Sequence, residues 1–293
     1  MKYSVIVAYN PTVDILIDII RVLNRISVNV IIVDNNSYNK NCYSSLHLEG
    51  LNFDLVLNER NLGIAKAQNI GIKKALSEGA DVICFFDQDS VVPKRYKFLL
   101  EKTISENIIF CPLAINSLTN EPFPSFLITK IGLPKSIYPS EDKTNRLIVD
   151  LAISSGLSVP ANVFHEVGLM KSELFIDYVD FEWMFRTKSY GITAICLTDI
   201  HMYHSVGLGN RKYKGMGIIH NPFRNYYKQR NPFYLLSYRH VPKLYSIKMI
   251  LSSIFQSLVN IVCESGQRKE YFYSFLKGVV DGVKFLFSVR STK

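Results

Sequence analysis

The chain has 293 residues, of which 48% are hydrophobic and 20% are charged, and its net charge is +9. That length can bury a sizeable core, and that composition excludes a disordered or fibrous chain. The charge is unevenly placed, because residues 1–210 carry 19 Lys and Arg against 22 Asp and Glu, whereas residues 211–293 carry 15 against 3. A basic segment of this kind binds either nucleic-acid phosphate or anionic lipid head groups.

The cysteines and the apolar segments predict the cellular compartment. Five cysteines are present without a Cys-x-x-Cys pair, which predicts reduced, buried thiols. An odd number of cysteines in a chain without a signal peptide predicts a cytoplasmic protein. The longest uncharged apolar stretch, 249–263, is too short to cross a bilayer, so no membrane-spanning helix is expected.

The first 92 residues alternate predicted strands and helices. Apolar runs predict strands at 3–9, 28–33, 53–57 and 82–86. Apolar residues at helical spacing predict one helix that follows Pro11 and includes 16–26, and another over 64–78. Strands and helices joined by short connections are typical of an open, largely parallel sheet with helices on its faces. The fold class is therefore α/β.

Polar residues follow the predicted strands where each one ends. Ligands of open parallel sheets bind beyond the carboxyl ends of the strands, so these residues are expected to share one ligand-binding edge. They are Tyr9-Asn10, Asp34, Gly63 and Asp87 to Asp89.

Asp87 and Asp89 are candidates for a metal site. Residues i and i+2 of extended backbone project to the same side, so the two carboxylates can converge on one hard cation. A solvated turn after the strand at 82–86 is the alternative. The agreement of four strand ends on one edge favours the metal.

Residues 93–210 contain a second candidate cluster. Five prolines break up the pattern from 93 to 149, which predicts an excursion that shapes a substrate pocket. Further strands are expected at 147–153 and 192–197, a short helix from Pro160 to Gly168, and a loop with His201 and His204 after residue 197. Between them, the segment 174–190 contains acidic residues beside an aromatic and a basic one. They are Asp177, Asp180, Glu182, Trp183 and Arg186.

Several ordered motifs resemble those of family 2 glycosyltransferases of the GT-A fold, and most closely those of bacterial rhamnosyltransferases of O-antigen and capsule synthesis. The resemblance covers about residues 3 to 240. Its first motifs are Val5 to Asn10, Val33 to Ser37, Asn61 to Ala65 with Asn69 and Gly71, and Phe86 to Ser90. The narrower resemblance rests on the Asp-Gln-Asp-Ser form of the last motif, on Phe175 to Trp183, and on Arg224 to Tyr227 followed by Arg230-Asn231.

This resemblance implies a nucleotide-sugar site with a divalent metal. Mg²⁺ or Mn²⁺ would be bound by Asp87 and Asp89, with His204 as a third ligand and His201 as its less favoured substitute. The alternative for His204 is a surface or packing histidine, and for Asp34 a residue that only forms a turn. The implied nucleotide-sugar contacts are Ala8, Tyr9, Asn10, Asp34, Asn61, Gly63, Asp87 and Gln88.

The second acidic cluster is expected to supply the catalytic base. An inverting transfer needs a base on the face opposite the leaving group, to take the proton of the acceptor hydroxyl. Counting back from Arg186, Asp180 matches the family's base, but Val179 stands where the family has an acid, so Asp177 and Glu182 stay open. A helix N-terminal acid is the alternative role for Asp180. The single tryptophan, Trp183, is expected in the core.

The C-terminal region is expected to contain basic, amphipathic helices. Aromatic residues alternate with Lys and Arg from 211, and apolar residues at helical spacing follow over 247–262 and 272–287. This favours a peripheral position on the anionic cytoplasmic face of the inner membrane over nucleic-acid binding. Packing on the catalytic domain, or on a second subunit in a homo-oligomer, is the alternative.

These observations divide the chain and suggest its function. Residues 1–210 form a catalytic domain, with a nucleotide-binding half at 1–92 and an acceptor half at 93–210, and residues 211–293 an association region. The expected activity is transfer of L-rhamnose from dTDP-β-L-rhamnose to a polyprenyl-linked glycan. A UDP-hexose donor on the same fold and a non-catalytic scaffold of the polysaccharide machinery are the alternatives.

Overall fold

The structure is a computed structural model. It describes residues 1–139, 144–204, 221–263 and 265–291. The elements below belong to those ranges.

An eight-stranded mixed sheet forms the centre of the molecule, and a two-stranded ribbon lies outside it. The strand order in the large sheet is β3-β2-β1-β4-β9-β5-β10-β8, and the ribbon pairs β6 with β7. The strands are β1 (Lys2–Ala8), β2 (Asn29–Asp34), β3 (Asp54–Leu57), β4 (Val82–Asp87), β5 (Ile109–Asn116), β6 (Ser125–Ile128), β7 (Pro134–Ile137), β8 (Arg146–Val149), β9 (Ser158–Pro160) and β10 (Ala194–His204).

Parallel pairing brings the strand ends to one edge, as predicted. β1 pairs in parallel with both β2 and β4, and the register sets Ala8 opposite Asp34 and Val7 opposite Asp87. β2 pairs in parallel with β3, whose last residue is opposite Asp34. β8 and β9 run antiparallel to their neighbours, so the sheet is mixed and mostly parallel.

Helices cover both faces of the sheet, and each face has its own buried hydrophobic cluster. Apolar residues at helical spacing bury one side of α1, for example Leu16, Ile20 and Leu23. The helices are α1 (Val13–Arg25), α2 (Cys42–Leu48), α3 (Ile64–Ser77), α4 (Tyr96–Glu106), α5 (Ala161–Val167), α6 (Val179–Ser189), α7 (Pro222–Ser237), α8 (Lys243–Cys263) and α9 (Arg268–Ser291).

Several elements differ from those predicted. The segment with His201 and His204 is the second half of β10 and not a loop, so that prediction is wrong. The register of β10 against β5 shifts between Leu197 and His201, which interrupts the alternation that marks a strand. The strand predicted at 147–153 is the shorter β8, and α2, α4 and β5 were not predicted.

The C-terminal helices pack on one another and on the rest of the chain. The Asn221 side chain caps α7 by accepting a hydrogen bond from the Arg224 amide, and Pro222 occupies the first turn. α7 packs against both α8 and α9. The predicted boundary at 210/211 lies outside the described residues, so the domain division stays a prediction.

Within the described ranges, α8 is the one helix long and apolar enough to cross a membrane, judged by length and composition only. No spanning helix was expected from the sequence. The difference arises because α8 extends past the uncharged stretch 249–263 to Lys243.

Candidate active site

The first strand end is joined to the turn after β4. The Tyr9 amide donates to the Gln88 Oε1 over 2.6 Å, and the Gln88 side-chain nitrogen donates to the Tyr9 carbonyl over 3.1 Å. Asn10 has a left-handed backbone, with φ of 51°, and its Oδ1 accepts from the Tyr38 amide. Tyr9 and Tyr38 therefore stand at the sheet edge as exposed rings. The structure brings Ala8, Tyr9, Asn10 and Gln88 together.

Asp34 is fully buried behind this edge. One of its carboxylate oxygens accepts from the Ser37 amide over 2.9 Å and the other from the Tyr43 hydroxyl. Burial and the Asp34 carboxylate raise the pKa of Tyr43 well above its ordinary value, which keeps that hydroxyl a donor. The carboxylate orders the turn after β2, and its predicted contact with the nucleotide stays a prediction.

Asn35 is the centre of an amide network at the same edge. Its Oδ1 accepts from the Leu62 amide and the Asn58 side chain, and its nitrogen donates to the Asn61 Oδ1 over 2.8 Å. Asn61 also accepts from the Gly63 amide over 2.9 Å. The network fixes the turn between β3 and α3 against the end of β2. The sequence motifs predicted a role for Asn61 and Gly63 but none for Asn35.

Gly63 lies against the loop that leads to the second acidic cluster. Its φ is +79°, and a Cβ there would come within 2.5 Å of the Phe175 ring and 2.7 Å of its carbonyl oxygen. The Phe175 ring in turn stacks on Tyr227 of α7, with ring centroids 4.6 Å apart. The turn with Gly63 therefore contacts the loop with Phe175, and that loop contacts α7.

Asp87 and Asp89 occupy the turn that ends β4. The Ser90 hydroxyl accepts from the Asp87 amide over 3.0 Å and shares a hydrogen bond of 2.8 Å with the Ser155 hydroxyl. Asp87 is half-buried and Asp89 is exposed. Two carboxylates on one tight turn are oxygen ligands of the kind that Mg²⁺ and Mn²⁺ prefer, so the residues present fit a divalent cation.

No third protein ligand is brought to this turn by the described residues. They contain no group of three His, Cys, Asp or Glu side chains suited to a metal ion. His201 is exposed, and its Nε2 lies 3.1 Å from the Thr198 carbonyl oxygen. The predicted ligand His204 ends β10, but its side chain lies outside the described residues.

Asp180 lies in the first turn of α6, close to the turn that contains Asp87 and Asp89. Its carboxylate accepts from the Ser154 amide over 3.1 Å. Burial raises the pKa of Asp180 to about 6, and the negative charges of Asp87 and Asp177 act in the same direction. A half-buried carboxyl group with a raised pKa suits a general base near neutral pH.

The two other acids of this cluster have cationic partners. Asp177 accepts from the Arg224 Nε and Nη2 of α7 at 2.9 to 3.2 Å. Glu182 is fully buried and accepts from the Arg186 Nε at 3.0 Å and Nη2 at 2.9 Å, with the His240 Nε2 at 2.7 Å. These pairs give both residues structural roles and distinguish them from Asp180.

The loop before α6 has an unusual backbone that α7 supports. Phe175, Asp177 and Tyr178 all have positive φ, between 64° and 65°, although none is glycine. The buried Asn231 side chain donates to the Leu174, Ile176 and Asp177 carbonyls at 2.8 to 3.0 Å. α7 therefore holds the loop that positions Asp180.

A largely apolar cavity of about 470 Å³ lies beside these groups. Its lining includes Ser155, which is hydrogen-bonded to Ser90, and Phe181, the residue after Asp180. Phe123 to Phe126, from the excursion predicted to shape a pocket, also line it. Trp183 lies outside the cavity, fully buried against Phe164, as expected of a core residue.

Comparison with known proteins identifies the family. The model of "Glycosyl transferase family 2" matches residues 4–137. The chain is 38% identical over 285 residues to the dTDP-rhamnosyl transferase RfbF of Shigella flexneri, covering 96% of this chain and 95% of that protein. The chain belongs to glycosyltransferase family 2.

Solved structures show the same fold for this family 2 glycosyltransferase. GalNAc-T7 with UDP, GalNAc and Mn²⁺ superposes with a TM-score of 0.59 at 17% identity, over 87% of this chain and 54% of that one. Staphylococcus aureus TarS 1–349 with UDP-GlcNAc gives 0.55 at 14% identity, over 98% and 84%. The α/β GT-A prediction and the prediction of a glycosyltransferase are confirmed.

The family resemblance already contained the residues whose roles the sequence analysis missed. Arg224 and Asn231 belong to the motifs at 224–227 and 230–231. Their partners lie 47 to 57 positions away, so no local pattern pointed to them. Asn35 similarly stood inside the motif at 33–37.

Proposed function

We propose that this glycosyltransferase moves L-rhamnose from dTDP-β-L-rhamnose to a lipid-linked oligosaccharide in bacterial surface polysaccharide synthesis, with inversion at the transferred carbon. The transfer depends on Mg²⁺ or Mn²⁺. The donor follows the 38% identical relative, which is a dTDP-rhamnosyl transferase and matches nearly the full length of the chain. A lipid-linked acceptor requires the enzyme to work at the cytoplasmic face of the membrane.

The environment of Asp180 is the observation that carries the proposal. Among the three acids of the second cluster, Asp177 and Glu182 are neutralised by arginines, whereas Asp180 accepts from a backbone amide. The negative charge of Asp87, in the turn after β4, also raises the pKa of Asp180. A base and a cation site on facing elements are what an inverting transfer needs, with the reacting carbon between them.

Each side of this site has a separate task. Asp180 takes the proton of the acceptor hydroxyl as that oxygen attacks the sugar. Asp87 and Asp89 would hold the cation, which when bound neutralises the charge that develops on the departing nucleoside diphosphate. His204 is the proposed third ligand. The Tyr9 and Tyr38 rings offer aromatic surfaces for the thymine base.

The apolar cavity is the proposed entry for the acceptor. It reaches Phe181, the residue after Asp180, so an acceptor there presents its hydroxyl beside the base. Its lining is mostly carbon, which suits the apolar faces and methyl groups of sugars more than charged substituents.

Calorimetric binding tests this proposal. The purified chain with Mg²⁺ or Mn²⁺ should bind dTDP, and Asp87→Asn combined with Asp89→Asn should weaken that binding at least tenfold. The exposed pair Asp14→Asn and Asp18→Asn, on α1, is the matched control. Absence of dTDP and UDP binding by the folded wild type would refute the proposal.

A UDP-hexose donor is the second candidate, because the similar solved structures contain UDP or UDP-GlcNAc. Thermal shift separates the two donors. Greater stabilisation by dTDP-rhamnose than by UDP-glucose, UDP-galactose and UDP-GlcNAc supports the first, and the reverse order supports the second.

A further inference from the structure

Over its C-terminal half, the face of α8 that packs into the protein is polar. Its buried residues include Ser253, Ser257 and Asn260. The Ser257 hydroxyl and the Asn260 amide donate to the Asn225 Oδ1 of α7, each over 3.3 Å. Ser257 also donates to the Gln229 Oε1 over 3.3 Å. A helix of a water-soluble protein normally buries its apolar side instead.

The outward face of α8 is apolar. Five side chains on it, which we name the α8 stripe, are 42% to 70% exposed. At 100° per residue they lie within an arc of about 80°, roughly opposite the polar buried residues. They are Ile247, Leu251, Phe255, Leu258 and Val262.

The neighbouring helix α9 likewise buries small and polar residues and exposes apolar ones. Ser274, Gly278 and Gly282 are spaced by four residues on its buried face. A Cβ at Gly278 would come within 2.9 Å of Gln229, and one at Gly282 within 2.6 Å of Phe233, so α7 and α9 approach closely. Exposed apolar residues, among them Phe272, Leu276, Val280 and Phe287, face away. Small and polar residues inside with apolar residues outside are the pattern of helices that pack in lipid.

The charges on α8 and α9 fit an anionic surface. Among the described side chains of α8 and α9, six cations are exposed, against one exposed carboxylate at Glu270. Asp281 accepts from the Tyr226 hydroxyl of α7. The cations are Lys243, Lys248, Arg268, Lys269, Lys277 and Lys284.

We propose that the α8 stripe is a membrane-docking surface, inserted into the head-group region of an anionic lipid bilayer. α8 lies flat on the bilayer and does not cross it, because its opposite side packs on α7 and is bonded to it at Ser257 and Asn260. α7 cannot enter lipid, since its Arg224 and Asn231 hold the active-site loop. Basic residues beside an apolar face give the two attractions that interfacial helices use.

This surface complements the proposed acceptor, because α8 is bonded to α7, and α7 holds the active-site loop. Docking through α8 therefore places the enzyme on the surface that contains its acceptor. The residues of the α8 stripe are three or four positions apart, which is also the spacing of apolar residues where two helices pair in a coiled coil. A symmetric pair of α8 helices, however, would bring two sets of like charges together. The cations therefore favour lipid over a second copy of the chain.

Vesicle flotation tests the docking surface. The full chain should float with vesicles of phosphatidylethanolamine and phosphatidylglycerol, and much less with phosphatidylcholine alone. Leu251→Glu combined with Phe255→Glu should lower the partition coefficient about tenfold or more for each side chain removed from lipid. Leu48→Glu combined with Leu118→Glu, at two highly exposed sites elsewhere, should leave flotation unchanged.

A second variant covers the event that the glutamates disturb folding. Leu251→Trp keeps the stripe apolar, and its emission should shift to the blue on addition of anionic vesicles, whereas Leu48→Trp should not shift. The buried Trp183 contributes a constant background. No flotation of the folded wild type, unchanged flotation of the stripe variant, or an emission of Leu251→Trp that vesicles leave unshifted would overturn the proposal. If the stripe variant floats like the wild type but has a different mass in sedimentation, the α8 stripe is a contact with a second copy of the chain.

Calorimetric dTDP binding by the same preparations separates this inference from the proposed function. Stripe variants should bind dTDP like the wild type, because the α8 stripe lies on the side of the helix opposite the residues that bond to α7. Loss of flotation with intact nucleotide binding therefore concerns the membrane surface alone.

Discussion

Three carboxyl groups between residues 177 and 182 have three different environments. Glu182 is buried with Arg186 and His240, and Asp177 is paired with Arg224. Asp180 has no arginine partner among the ion pairs of the described residues, and the negative charge of Asp87 raises its pKa. The sequence placed all three in one cluster but could not rank them from their spacing. Their ranking follows from Arg186, one helical turn after Glu182, and from Arg224, which only the folded chain brings to Asp177.

The acid limb of the pH profile should report Asp180. Its raised pKa of about 6 means that the charged form is disfavoured, and a base acts only when it is deprotonated. kcat/KM should therefore fall about tenfold per unit as pH drops below about 6. Initial rates between pH 4.5 and 8, with dTDP binding measured at the same pH values, check this. A rate that stays flat down to pH 5 would contradict the assignment.

Glu182→Gln should destabilise the protein without removing the base. The change leaves the Arg186 guanidinium buried beside a neutral group, which costs about 3–5 kcal/mol of unfolding free energy. Urea denaturation measures this loss, and the folded fraction should keep a near wild-type rate. Glu166→Gln, at an exposed position of α5, should change neither quantity. A stable but inactive Glu182→Gln protein would make Glu182 the base.

At the scale of elements, the turn at Gly63 and the loop at Phe175 act as one unit. Both have positive φ, and no space separates them. The Asn61-Leu62-Gly63 motif predicted the turn, but its contact with Phe175 joins residues more than a hundred positions apart.

Gly63→Ala should disturb donor binding and transfer because its Cβ would displace Phe175. Gly50→Ala is the matched control, since Gly50 has φ of +66° with open space around it. The control should lose about 1–2 kcal/mol from backbone strain alone and keep its activity. Unfolding midpoints and dTDP affinity distinguish the two variants. Equal effects on both would show that the Phe175 contact is unimportant.

Asn231→Ala should lower kcat more than it changes KM. Three carbonyls of the loop lose their donor, which costs about 1–3 kcal/mol and lets Asp180 move. A displacement of about 1 Å can slow a reaction roughly 10²-fold. Asn225→Ala, on the same helix but bonded to Ser257, Ser274 and Asn260, should lose stability and retain kcat. Matching losses of kcat in the two variants would argue against a positioning role.

At the scale of the whole molecule, the strands of the nucleotide-binding half were predictable, whereas only some elements of the acceptor half were. β1 to β4 are continuous apolar runs with polar ends, so local patterns sufficed. β5 contains Pro112, which normally argues against an inner strand. It is tolerated because β9 pairs with β5 only at Phe110, so Pro112 has no strand partner in β9.

Among the C-terminal helices, α7 holds the loop before α6, and α8 carries the proposed membrane-docking surface. Their composition predicted amphipathic basic helices, and the structure places the helices α7, α8 and α9 in this region. The inverted polarity of α8 could not be read from composition, because the apolar positions alone do not show which face is buried. Only contacts with Asn225 and Gln229 determine that orientation.

Transfer of labelled sugar tests the central claim most directly. The chain is incubated with dTDP-β-L-[¹⁴C]rhamnose, Mg²⁺ or Mn²⁺ and an extracted pool of lipid-linked acceptors, and radioactivity in the lipid phase is measured. We predict transfer by the wild type, and a loss of about 10²–10⁴-fold in Asp180→Asn with dTDP binding intact. Transfer from labelled UDP-hexoses but not from dTDP-rhamnose, or full activity of Asp180→Asn, would contradict the account.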